Sequence, residues 1–490
     1  MRFSELIRAA GLRPRSQRGD ADIEEVQFDS RRCGRGSCFV AVRGWTDDGH
    51  KYISQAVGSG AAAVVCEDEA GVGSKVACAV VDDAHEALGH LAQAHRGWPA
   101  RRLVKVAVTG TKGKSTTAAL IREILIEAGF RPGLLGTISY QTGRRSLPAP
   151  TTTPDPVSLA EMAAEMVADG CTHLVMEASS HALDQRRTAG LDFRVGVFTN
   201  FSGDHMDYHQ TMERYFAAKA RLFEQLAPEA TAVVNRDDPQ ARRIADSTRA
   251  SVVWYALGEE ADFLGRIVRA DYGGTEFTVA RASSRLKVRT HLIGRHNVYN
   301  CLAATAAAAA LGVAPDAAAS AIERVRSVPG RMERVQADAP YQVFVDYAHT
   351  DDALENALQS LRDVRAGGRV IVVFGCGGDR DRTKRPRMAR AAERLADRIV
   401  VTSDNPRTED PCAIVDEIVA GLSPGAMART DIDPDRRRAI AMAIEHARPG
   451  DVVLIAGKGH ENYQVIGNKR IHFDDVEVAS ELMRRREAVP

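Results

Sequence analysis

The chain has 490 residues, of which 44% are hydrophobic and 27% are charged, and this length suits about three domains. Its 65 basic residues (Lys and Arg) balance its 65 acidic residues, so no net field draws it to nucleic acid or to an anionic membrane, and anionic ligands must be held by local clusters. It has no signal peptide and no apolar run of about 18 residues, and its 8 scattered cysteines lack metal or disulfide spacing, which predicts a cytoplasmic protein with reduced thiols.

The first hundred residues alternate short apolar runs with helical patterns, as an α/β domain does. The predicted strands cover residues 38–42, 61–66 and 76–81, and the predicted helices cover residues 52–58 and 85–97. The segment 98–102, Trp-Pro-Ala-Arg-Arg, interrupts this alternation and marks a boundary. We therefore expect a first domain over residues 1–100.

The second block begins with an apolar strand over residues 103–109, a glycine-rich turn and an amphipathic helix over residues 115–128. Further apolar strands at residues 173–176, 196–198 and 232–234 predict a parallel, doubly wound sheet. Residues 261–292 alternate apolar and polar side chains, which predicts an antiparallel ribbon. Helices over residues 298–311 and 315–325 close the block, so we expect a second domain over residues 101–333.

The remaining chain, residues 334–490, again alternates strands and helices and predicts a third, Rossmann-like α/β domain. The predicted strands cover residues 343–347, 369–374, 398–402 and 451–456, and the predicted helices cover residues 350–364, 385–396, 414–422 and 436–447. The expected fold class is therefore α/β in three domains.

The glycine-rich turn of the second domain reads Gly110-Thr111-Lys112-Gly113-Lys114-Ser115-Thr116. A strand that leads into such a turn and then into a helix places free backbone N–H groups and a positive helix end at one point, where a polyphosphate binds. Lys114 can reach the terminal phosphates, and the Ser115 hydroxyl can bind Mg²⁺. The turn is a variant of the full phosphate loop, because Val108 stands where the first glycine would fall. We therefore predict an ATP site at residues 110–116.

Further motifs follow this loop in order. They are Glu177-Ala178-Ser179-Ser180-His181, Asp204-His205-Met206-Asp207-Tyr208-His209, Ala217-Ala218-Lys219, His296-Asn297-x-x-Asn300, Gly330-Arg331 and Asp346-Tyr347-Ala348-His349. Together with the loop they resemble the signatures of the Mur ligase family, which also includes the folylpolyglutamate synthetases. The resemblance covers almost the whole chain, and several matches in order are far more specific than one.

The resemblance implies an ATP-dependent ligase that forms amide bonds through an acyl phosphate. Mg²⁺ must neutralise the negative charges that meet in this reaction, and it prefers oxygen ligands. By resemblance, Ser115 and Glu177 would bind one ion, and His205 with a carbamylated Lys219 would bind a second. Taken alone, Glu177 also suits an ordinary strand end and His205 an ordinary core histidine. Their order with the loop favours the catalytic interpretation.

The family's ATP-positioning residues are matched by Asn300, Arg331 and Asp346. Arg331 suits the transferred phosphoryl group, because a planar guanidinium matches phosphate oxygens. The resemblance therefore implies a catalytic set composed of Lys114, Glu177, His205, Lys219 and Arg331.

The first domain resembles the uridine-binding domain of family members that form a nucleotide-linked tripeptide. Phe28-Asp29-Ser30-Arg31 and the segments 36–41 and 44–49 carry this resemblance. It implies that the nucleotide end of a UDP-linked precursor contacts Phe28, Ser30, Trp45, Thr46 and Asp47. The diphosphate, sugar and peptide would be held by Thr151, Thr152, Thr153, Ser179, Gln185 and Arg187. The threonine run also suits an ordinary polar turn, but its place before a helix favours anion binding.

The segment Asp404-Asn405-Pro406-Arg407 resembles the motif of the diaminopimelate-adding family members. Arg407 can hold a carboxylate through two parallel hydrogen bonds, and diaminopimelate has a second carboxylate that lysine lacks. Arg380, Gly457 and Glu461 match further contacts of that amino acid, with Glu461 expected to pair with its distal ammonium. The alternative interpretation is a proline-containing turn with an exposed arginine.

Together these resemblances imply the ATP- and Mg²⁺-dependent ligation of meso-2,6-diaminopimelate onto UDP-N-acetylmuramoyl-L-alanyl-D-glutamate, a step of peptidoglycan synthesis. A lysine-adding family member would lack Arg407, and a folylpolyglutamate-type synthetase would not need the uridine-binding domain. A non-catalytic ATP-binding scaffold would have lost Glu177, His205 or Lys219. We expect a monomer that binds neither nucleic acid nor membrane.

Overall fold

A computed structural model describes residues 1–45, 47–365 and 367–487. The chain divides into two compact units. The first unit comprises Met1–Leu264 and Tyr299–Ala318, and the second comprises Gly265–Val298 and the chain from Ala319 onward. The predicted domain boundaries near residues 100 and 333 stay predictions.

The helices of the chain alternate with its strands, and three short 3₁₀ turns occur at Ser30–Arg32, Gly49–Tyr52 and Pro99–Arg102. The helices are α1 (Phe3–Ala9), α2 (Ile53–Gly58), α3 (Ala84–His95), α4 (Lys114–Glu127), α5 (Pro156–Ala168), α6 (Ser180–Asp184), α7 (Met206–His209), α8 (Met212–Glu224), α9 (Ala241–Asp246), α10 (Arg295–Ala310), α11 (Pro315–Arg324), α12 (Asp351–Val364), α13 (Lys384–Leu395), α14 (Pro411–Val419), α15 (Pro424–Met427), α16 (Arg436–His446) and α17 (Asp475–Glu487).

The strands are β1 (Ser16–Arg18), β2 (Glu25–Gln27), β3 (Ser37–Val40), β4 (Ala63–Cys66), β5 (Ala77–Val80), β6 (Val104–Thr109), β7 (Pro132–Leu135), β8 (Ser139–Gln141), β9 (Ser146–Pro148), β10 (His173–Glu177), β11 (Val195–Phe198), β12 (Thr231–Asn235), β13 (Ser251–Ala256), β14 (Phe263–Asp271), β15 (Gly274–Arg281), β16 (Ser284–Thr290), β17 (Glu333–Arg334), β18 (Gln342–Asp346), β19 (Val370–Phe374), β20 (Arg398–Val401), β21 (Thr430–Ile432), β22 (Val452–Ala456), β23 (Tyr463–Ile466) and β24 (Lys469–His472). Each predicted strand and helix has a counterpart here, with ends shifted by a few residues. Many elements were not predicted, among them α1, α6 to α9, α17, β1, β2, β7 to β9 and the hairpin of β23 and β24.

The first unit contains a small sheet with the strand order β1-β5-β4-β3-β2. Strands β2 to β5 pair in parallel, and β1 is antiparallel to β5. All residues of β3, β4 and β5 are buried, as expected for a parallel sheet that is covered on both faces.

A larger sheet of the same unit has β6 at its centre, with the parallel strands β10 and β11 on either side. Strands β7, β12 and β13 extend the parallel pairing, and β8 and β9 add an antiparallel edge. Because parallel strands end at the same edge, the residues after β6, β10 and β11 meet there. This edge is where open α/β sheets bind their ligands.

The second unit contains the predicted antiparallel ribbon, in which β15 pairs with β16. Its main sheet has the order β17-β18-β22-β19-β20-β21 and is parallel except for β17. The strands β19, β20 and β22 are largely buried, and the segments that follow them lie at one edge. Within the described ranges of the chain, no helix is both long and apolar enough to cross a membrane.

Candidate active site

The glycine-rich turn joins β6 to α4 and needs glycine at two positions. Gly110 and Gly113 have φ angles of +143° and +83°, and a Cβ atom at either one would collide with Thr199 or Asn300, respectively. The backbone N–H of Lys112 donates to the Asn200 Oδ1 atom at 2.9 Å. The turn is therefore held closely against neighbouring loops, with the N-terminus of α4 at its end.

Two lysines of the turn have different partners, one within the turn and one outside it. The Nζ atom of Lys114 donates to the carbonyl oxygens of Gly110 and Thr111, both at 3.0 Å. The Nζ atom of Lys112 lies 3.3 Å from the Asp204 Oδ2 atom. The ammonium of Lys114 therefore lies against the backbone of the loop, and its contact with the phosphates of ATP stays a prediction.

Glu177 lies at the end of β10, is 2% exposed and accepts hydrogen bonds from two sides. The Ser115 hydroxyl donates to its Oε2 atom at 3.0 Å. Thr137 donates its backbone N–H to Oε1 at 2.8 Å and its hydroxyl to Oε2 at 3.0 Å. A side chain on Gly136 would collide with Oε1. Thr137 was not predicted, and the sole sequence signal for it is the Gly-Thr pair shortly after a buried strand.

Lys219 lies on α8 and is 1% exposed. Its Nζ atom donates to the Gly110 carbonyl oxygen at 2.7 Å and lies 4.5 Å from the centroid of the Tyr215 ring. Burial, together with the nearby charge of Lys114, holds the pKa of Lys219 well below its usual range. The structure therefore brings this predicted residue to the phosphate loop, from a helix far along the chain.

His205 precedes α7 with a φ of +56°, and its side chain is 44% exposed. Its ring lies 6.1 Å from that of Tyr215 and 4.8 Å from that of His181. Among the four predicted metal-binding residues, Ser115 and Glu177 are in direct contact.

These residues fit Mg²⁺ by their chemistry. Ser115 and Glu177 present a hydroxyl and a carboxylate side by side, which are the oxygen donors that Mg²⁺ prefers. No group of three or more His, Cys, Asp or Glu residues that could hold a metal occurs in the described part of the chain. Mg²⁺ is usually bound by one or two carboxylates together with phosphates and water, so this donor set suits it.

The residues predicted to hold the precursor lie next to Glu177. The Thr137 hydroxyl, whose proton goes to Glu177, is hydrogen-bonded to the Thr152 hydroxyl at 3.1 Å, and the Thr153 hydroxyl donates to the Glu177 carbonyl oxygen at 2.8 Å. The backbone N–H of Ser179 donates to the Thr153 hydroxyl at 3.1 Å. The exposed residue Thr151 accepts a hydrogen bond from Tyr140 through its carbonyl oxygen. The threonine run therefore packs directly beside the end of β10.

Arg187 and Gln185 extend this cluster. The guanidinium of Arg187 donates to the Gln185 Oε1 atom at 2.7 Å and to the Thr153 carbonyl oxygen at 3.1 Å. The Gln185 amide in turn donates to the Tyr208 hydroxyl at 3.2 Å. The ring of Trp45, which is 58% exposed, lies 4.7 Å from the Tyr208 ring. Tyr208 thus connects a predicted nucleotide residue to the predicted peptide-binding residues, a role that no motif indicated.

The other predicted nucleotide residues are less closely grouped. The Ser30 hydroxyl donates to the Gln55 side chain at 3.1 Å, and Phe28 packs against the core of the small sheet. The Asp47 carboxylate accepts hydrogen bonds from Lys51, at 3.1 Å, and from Tyr52. Thr46 lies outside the described residues.

The predicted ATP-positioning residues occur in both units. Asn300 lies on α10 in the first unit, where its Oδ1 atom accepts a hydrogen bond from the Thr117 hydroxyl at 3.2 Å. In the second unit the Asp346 carboxylate accepts the backbone N–H of Met332 at 2.7 Å. The guanidinium of Arg331 lies 5.0 Å from the centroid of the Tyr347 ring. Arg331 and Asp346 are therefore neighbours within the second unit.

The segment 404–407 follows β20 at the edge of the sheet in the second unit. Asn405 is 2% exposed, and its side-chain amide donates to the Glu461 Oε2 atom at 2.8 Å. A Cβ atom on Gly457 would lie 2.6 Å from the Asp404 Oδ2 atom. Pro406 is buried and Arg380 is exposed on a neighbouring loop. Asp404, Asn405, Gly457 and Glu461 thus form one packed cluster. The Arg407 guanidinium donates from Nη1 to the Gly378 carbonyl oxygen at 2.7 Å, and both Arg407 and Arg380 lie beside Gly377.

Two buried charges support this cluster and were not predicted. Lys458 donates to the Tyr463 carbonyl oxygen and lies 3.6 Å from the Glu461 Oε2 atom. The buried Arg436 donates to the carbonyl oxygens of Ser403 and Ala456, at 3.2 Å and 3.0 Å. Arg436 therefore joins the ends of β20 and β22, the two strands on either side of β19, after which the Asp404 and Gly457 segments begin.

Family models match the chain in three consecutive segments. The Mur ligase family catalytic domain matches residues 22–96, the Mur ligase middle domain matches residues 108–308, and the Mur ligase glutamate ligase domain matches residues 330–459. Two curated proteins named UDP-N-acetylmuramoyl-L-alanyl-D-glutamate--2,6-diaminopimelate ligase are similar over nearly the full length. The protein of Parabacteroides distasonis is 43% identical, with 96% of each chain covered. That of Geobacter metallireducens is 44% identical, with 99% of this chain and 98% of the relative covered.

This chain belongs to the Mur ligase family. A solved structure of a UDP-N-acetylmuramoyl-L-alanyl-D-glutamate--2,6-diaminopimelate ligase matches with a TM-score of 0.69 and 35% identity over 95% of each chain. A folylpolyglutamate synthase of Mycobacterium tuberculosis matches with a TM-score of 0.62 at 20% identity, over 81% of this chain and 94% of its own, which shows a shared fold alone. The expected α/β fold in three Mur ligase domains is confirmed.

Proposed function

We propose that this Mur ligase joins meso-2,6-diaminopimelate to UDP-N-acetylmuramoyl-L-alanyl-D-glutamate, with hydrolysis of ATP to ADP and phosphate. In this reaction the γ-phosphoryl group passes to the precursor's carboxylate. The amine of the incoming amino acid then attacks the acyl phosphate, and phosphate leaves as the amide forms. The cytoplasm is the proposed location, and a monomer is the proposed state.

The contact that supports the first step best is that of Glu177 with Ser115 and Thr137 at the end of the phosphate loop. Lys114 would neutralise the phosphates of ATP, and Gly110 to Thr116 would surround them with backbone N–H groups. Asn300, Arg331 and Asp346 belong to the proposed ATP-binding set. Thr152 and Thr153 lie beside Glu177, which suits a precursor whose carboxylate must meet the γ-phosphate.

Mg²⁺ is the proposed metal cofactor, and Ser115 and Glu177 would hold it, with His205 and a carbamylated Lys219 as the proposed second set. The cation supplies charge neutralisation for the phosphoryl group. Lys219 is suited to carbamylation because its buried amine has a lowered pKa, and the neutral amine is the form that reacts with carbon dioxide.

The cluster of Asn405, Arg407 and Glu461 supports diaminopimelate as the incoming amino acid. The second amino-acid centre of diaminopimelate carries an ammonium and a carboxylate. Glu461 complements the charge of the ammonium, and the Arg407 guanidinium complements that of the carboxylate. The proposed binding set also includes Arg380, Asp404, Pro406 and Gly457. The curated relatives named for this amino acid, at 43% and 44% identity, point the same way.

A phosphate-release assay with the UDP-linked dipeptide, ATP and Mg²⁺ tests the proposal. We expect phosphate release with meso-diaminopimelate and much less with L-lysine, whose side chain offers no carboxylate to Arg407. A preference for lysine would contradict the proposed amino acid. No release with either amino acid would contradict the ligase function itself.

A further inference from the structure

The hairpin formed by β23 and β24 lies against the segment 404–407 of the second unit. Its Gln464 side chain is buried and donates from Nε2 to the Asp404 carbonyl oxygen at 2.7 Å. The next residue, Val465, donates its backbone N–H to the Asn405 Oδ1 atom at 2.9 Å. The hairpin therefore donates hydrogen bonds to the first two residues of this segment.

Arg407 is attached to the same hairpin through its backbone. Its N–H donates to the Val465 carbonyl oxygen at 3.0 Å, and its carbonyl oxygen accepts the N–H of Gly467 at 2.7 Å. Arg407 has a φ of +51°, which lies in the left-handed region. Residues other than glycine, asparagine and aspartate rarely adopt this backbone conformation. Such a conformation persists where surrounding contacts determine it, and here the hairpin supplies both backbone partners.

The hairpin also reaches the acidic side of the cluster. Asn405, which accepts from Val465, donates to Glu461. Lys458, which lies 3.6 Å from Glu461, donates to the carbonyl oxygen of Tyr463 at the start of β23. One structural element thus contacts the backbone of Arg407 and, through Asn405 and Lys458, the side chain of Glu461, the two residues that the proposed function assigns to the distal end of diaminopimelate. The Arg407 guanidinium itself donates from Nη1 to the Gly378 carbonyl oxygen at 2.7 Å.

We infer that the 463–472 hairpin determines amino-acid specificity, with Gln464 as a positioning residue for the Asp404-Asn405-Pro406-Arg407 segment. This inference rests on the proposed function. Because Gln464 holds the segment from which the Arg407 guanidinium projects, its loss weakens the interaction with the ligand's second carboxylate. Lysine lacks that carboxylate, so its reaction depends less on Gln464.

Gln464→Leu tests this inference, since leucine has a similar volume but donates no hydrogen bond. Gly467→Ala is the second variant, because alanine is strained at a φ of +57° although nothing lies within 4 Å of its Cβ position. Ile471→Thr is the matched control, because Ile471 is the cross-strand partner of Gln464 and is 43% exposed. The readouts are KM and kcat for diaminopimelate and lysine, and backbone hydrogen exchange at Arg407.

We expect Gln464→Leu to raise the KM for diaminopimelate about fivefold, the effect of one lost hydrogen bond, with kcat and the KM for ATP nearly unchanged. The ratio of kcat/KM for diaminopimelate to that for lysine should fall. Exchange of the Arg407 amide should accelerate in both variants and stay unchanged in Ile471→Thr. Unchanged exchange, or an equal loss with both amino acids, would overturn the inference. Exchange needs no ligand, so it decides the hairpin's role even if wild-type protein shows no ligase activity.

Discussion

The phosphate loop of the first unit and the 404–407 segment of the second unit both follow buried parallel strands, but they are held in different ways. The phosphate loop uses glycines at its two left-handed positions, Gly110 and Gly113, and continues directly into the long helix α4. The 404–407 segment places an arginine in a left-handed conformation. A hairpin about sixty residues farther along the chain supplies the hydrogen bonds that hold it.

This difference has a physical consequence for each site. A glycine turn that leads into a helix is a local structure. Its backbone N–H donors become available once the turn and the first residues of the helix have formed. A left-handed arginine depends on tertiary contacts, so its position responds to changes elsewhere in the second unit. The backbone conformation of the first site should therefore depend less on distant residues than that of the second, although Asn200 and Lys219 also bond its backbone.

The largest effect is expected for Lys114→Ala in the phosphate loop. If Lys114 stabilises the transferred phosphoryl group as proposed, removing its ammonium should lower kcat about 100- to 1000-fold, with thermal stability nearly unchanged. Steady-state phosphate release and a thermal unfolding scan measure these quantities. Lys112→Ala removes a neighbouring ammonium that pairs with Asp204 instead, and its effect should be smaller. Equal losses in both variants would show that general loop charge, rather than the position of Lys114, matters.

Arg407→Asn should have the next largest effect. This effect should be limited to the kinetic parameters for the incoming amino acid. Asparagine tolerates the left-handed conformation, so the backbone stays in place while the guanidinium is lost. Loss of a charged hydrogen-bonding partner should lower kcat/KM for diaminopimelate about thirtyfold. The KM for ATP should not change. A similar loss with lysine would mean that Arg407 does not bind the second carboxylate.

More of the first region than of the second could be predicted from the sequence. The turn at residues 110–116 was predictable because its glycines, lysine and hydroxyl residues are consecutive and flanked by a strand and a helix. Resemblance pointed to Arg407 and Glu461 as candidates, but the hairpin that bonds the 404–407 segment and the buried Lys458 were missed, because no local pattern records a hydrogen bond across about sixty residues. The same reason explains why Thr137 and Tyr208 were missed and why the burial of Lys219 was not foreseen.

Thr137→Val tests whether contacts that were invisible in the sequence also matter in the first unit. Valine removes the hydroxyl that bonds Glu177 at 3.0 Å but keeps the backbone N–H that bonds it at 2.8 Å. We expect the Mg²⁺ concentration for half-maximal activity to rise about tenfold, as is typical when a partner of a metal ligand is lost. Thr137→Ser retains the hydroxyl and should restore most of the wild-type response. A drop in kcat with an unchanged Mg²⁺ dependence would contradict this role.

The smallest effect concerns the pH dependence of the amino-acid cluster. Burial and the neighbouring Asp404 raise the pKa of Glu461. As the pH falls, its carboxylate is therefore protonated at a higher pH than that of an ordinary glutamate, whose pKa is about 4.3. Protonated Glu461 cannot pair with an ammonium, so the KM for diaminopimelate should rise a few-fold as the pH falls through this window.

The free energy of unfolding should respond in the opposite direction. Because the folded state binds this proton more tightly than the unfolded state, the stability of the ligand-free protein falls as the pH rises through the window. Glu461→Gln should remove both dependences, and the difference between the two proteins in KM and in chemical unfolding, measured across this pH range, isolates them from other titrating groups. Parallel curves for the variant and the wild type would exclude Glu461 as the partner of the ammonium.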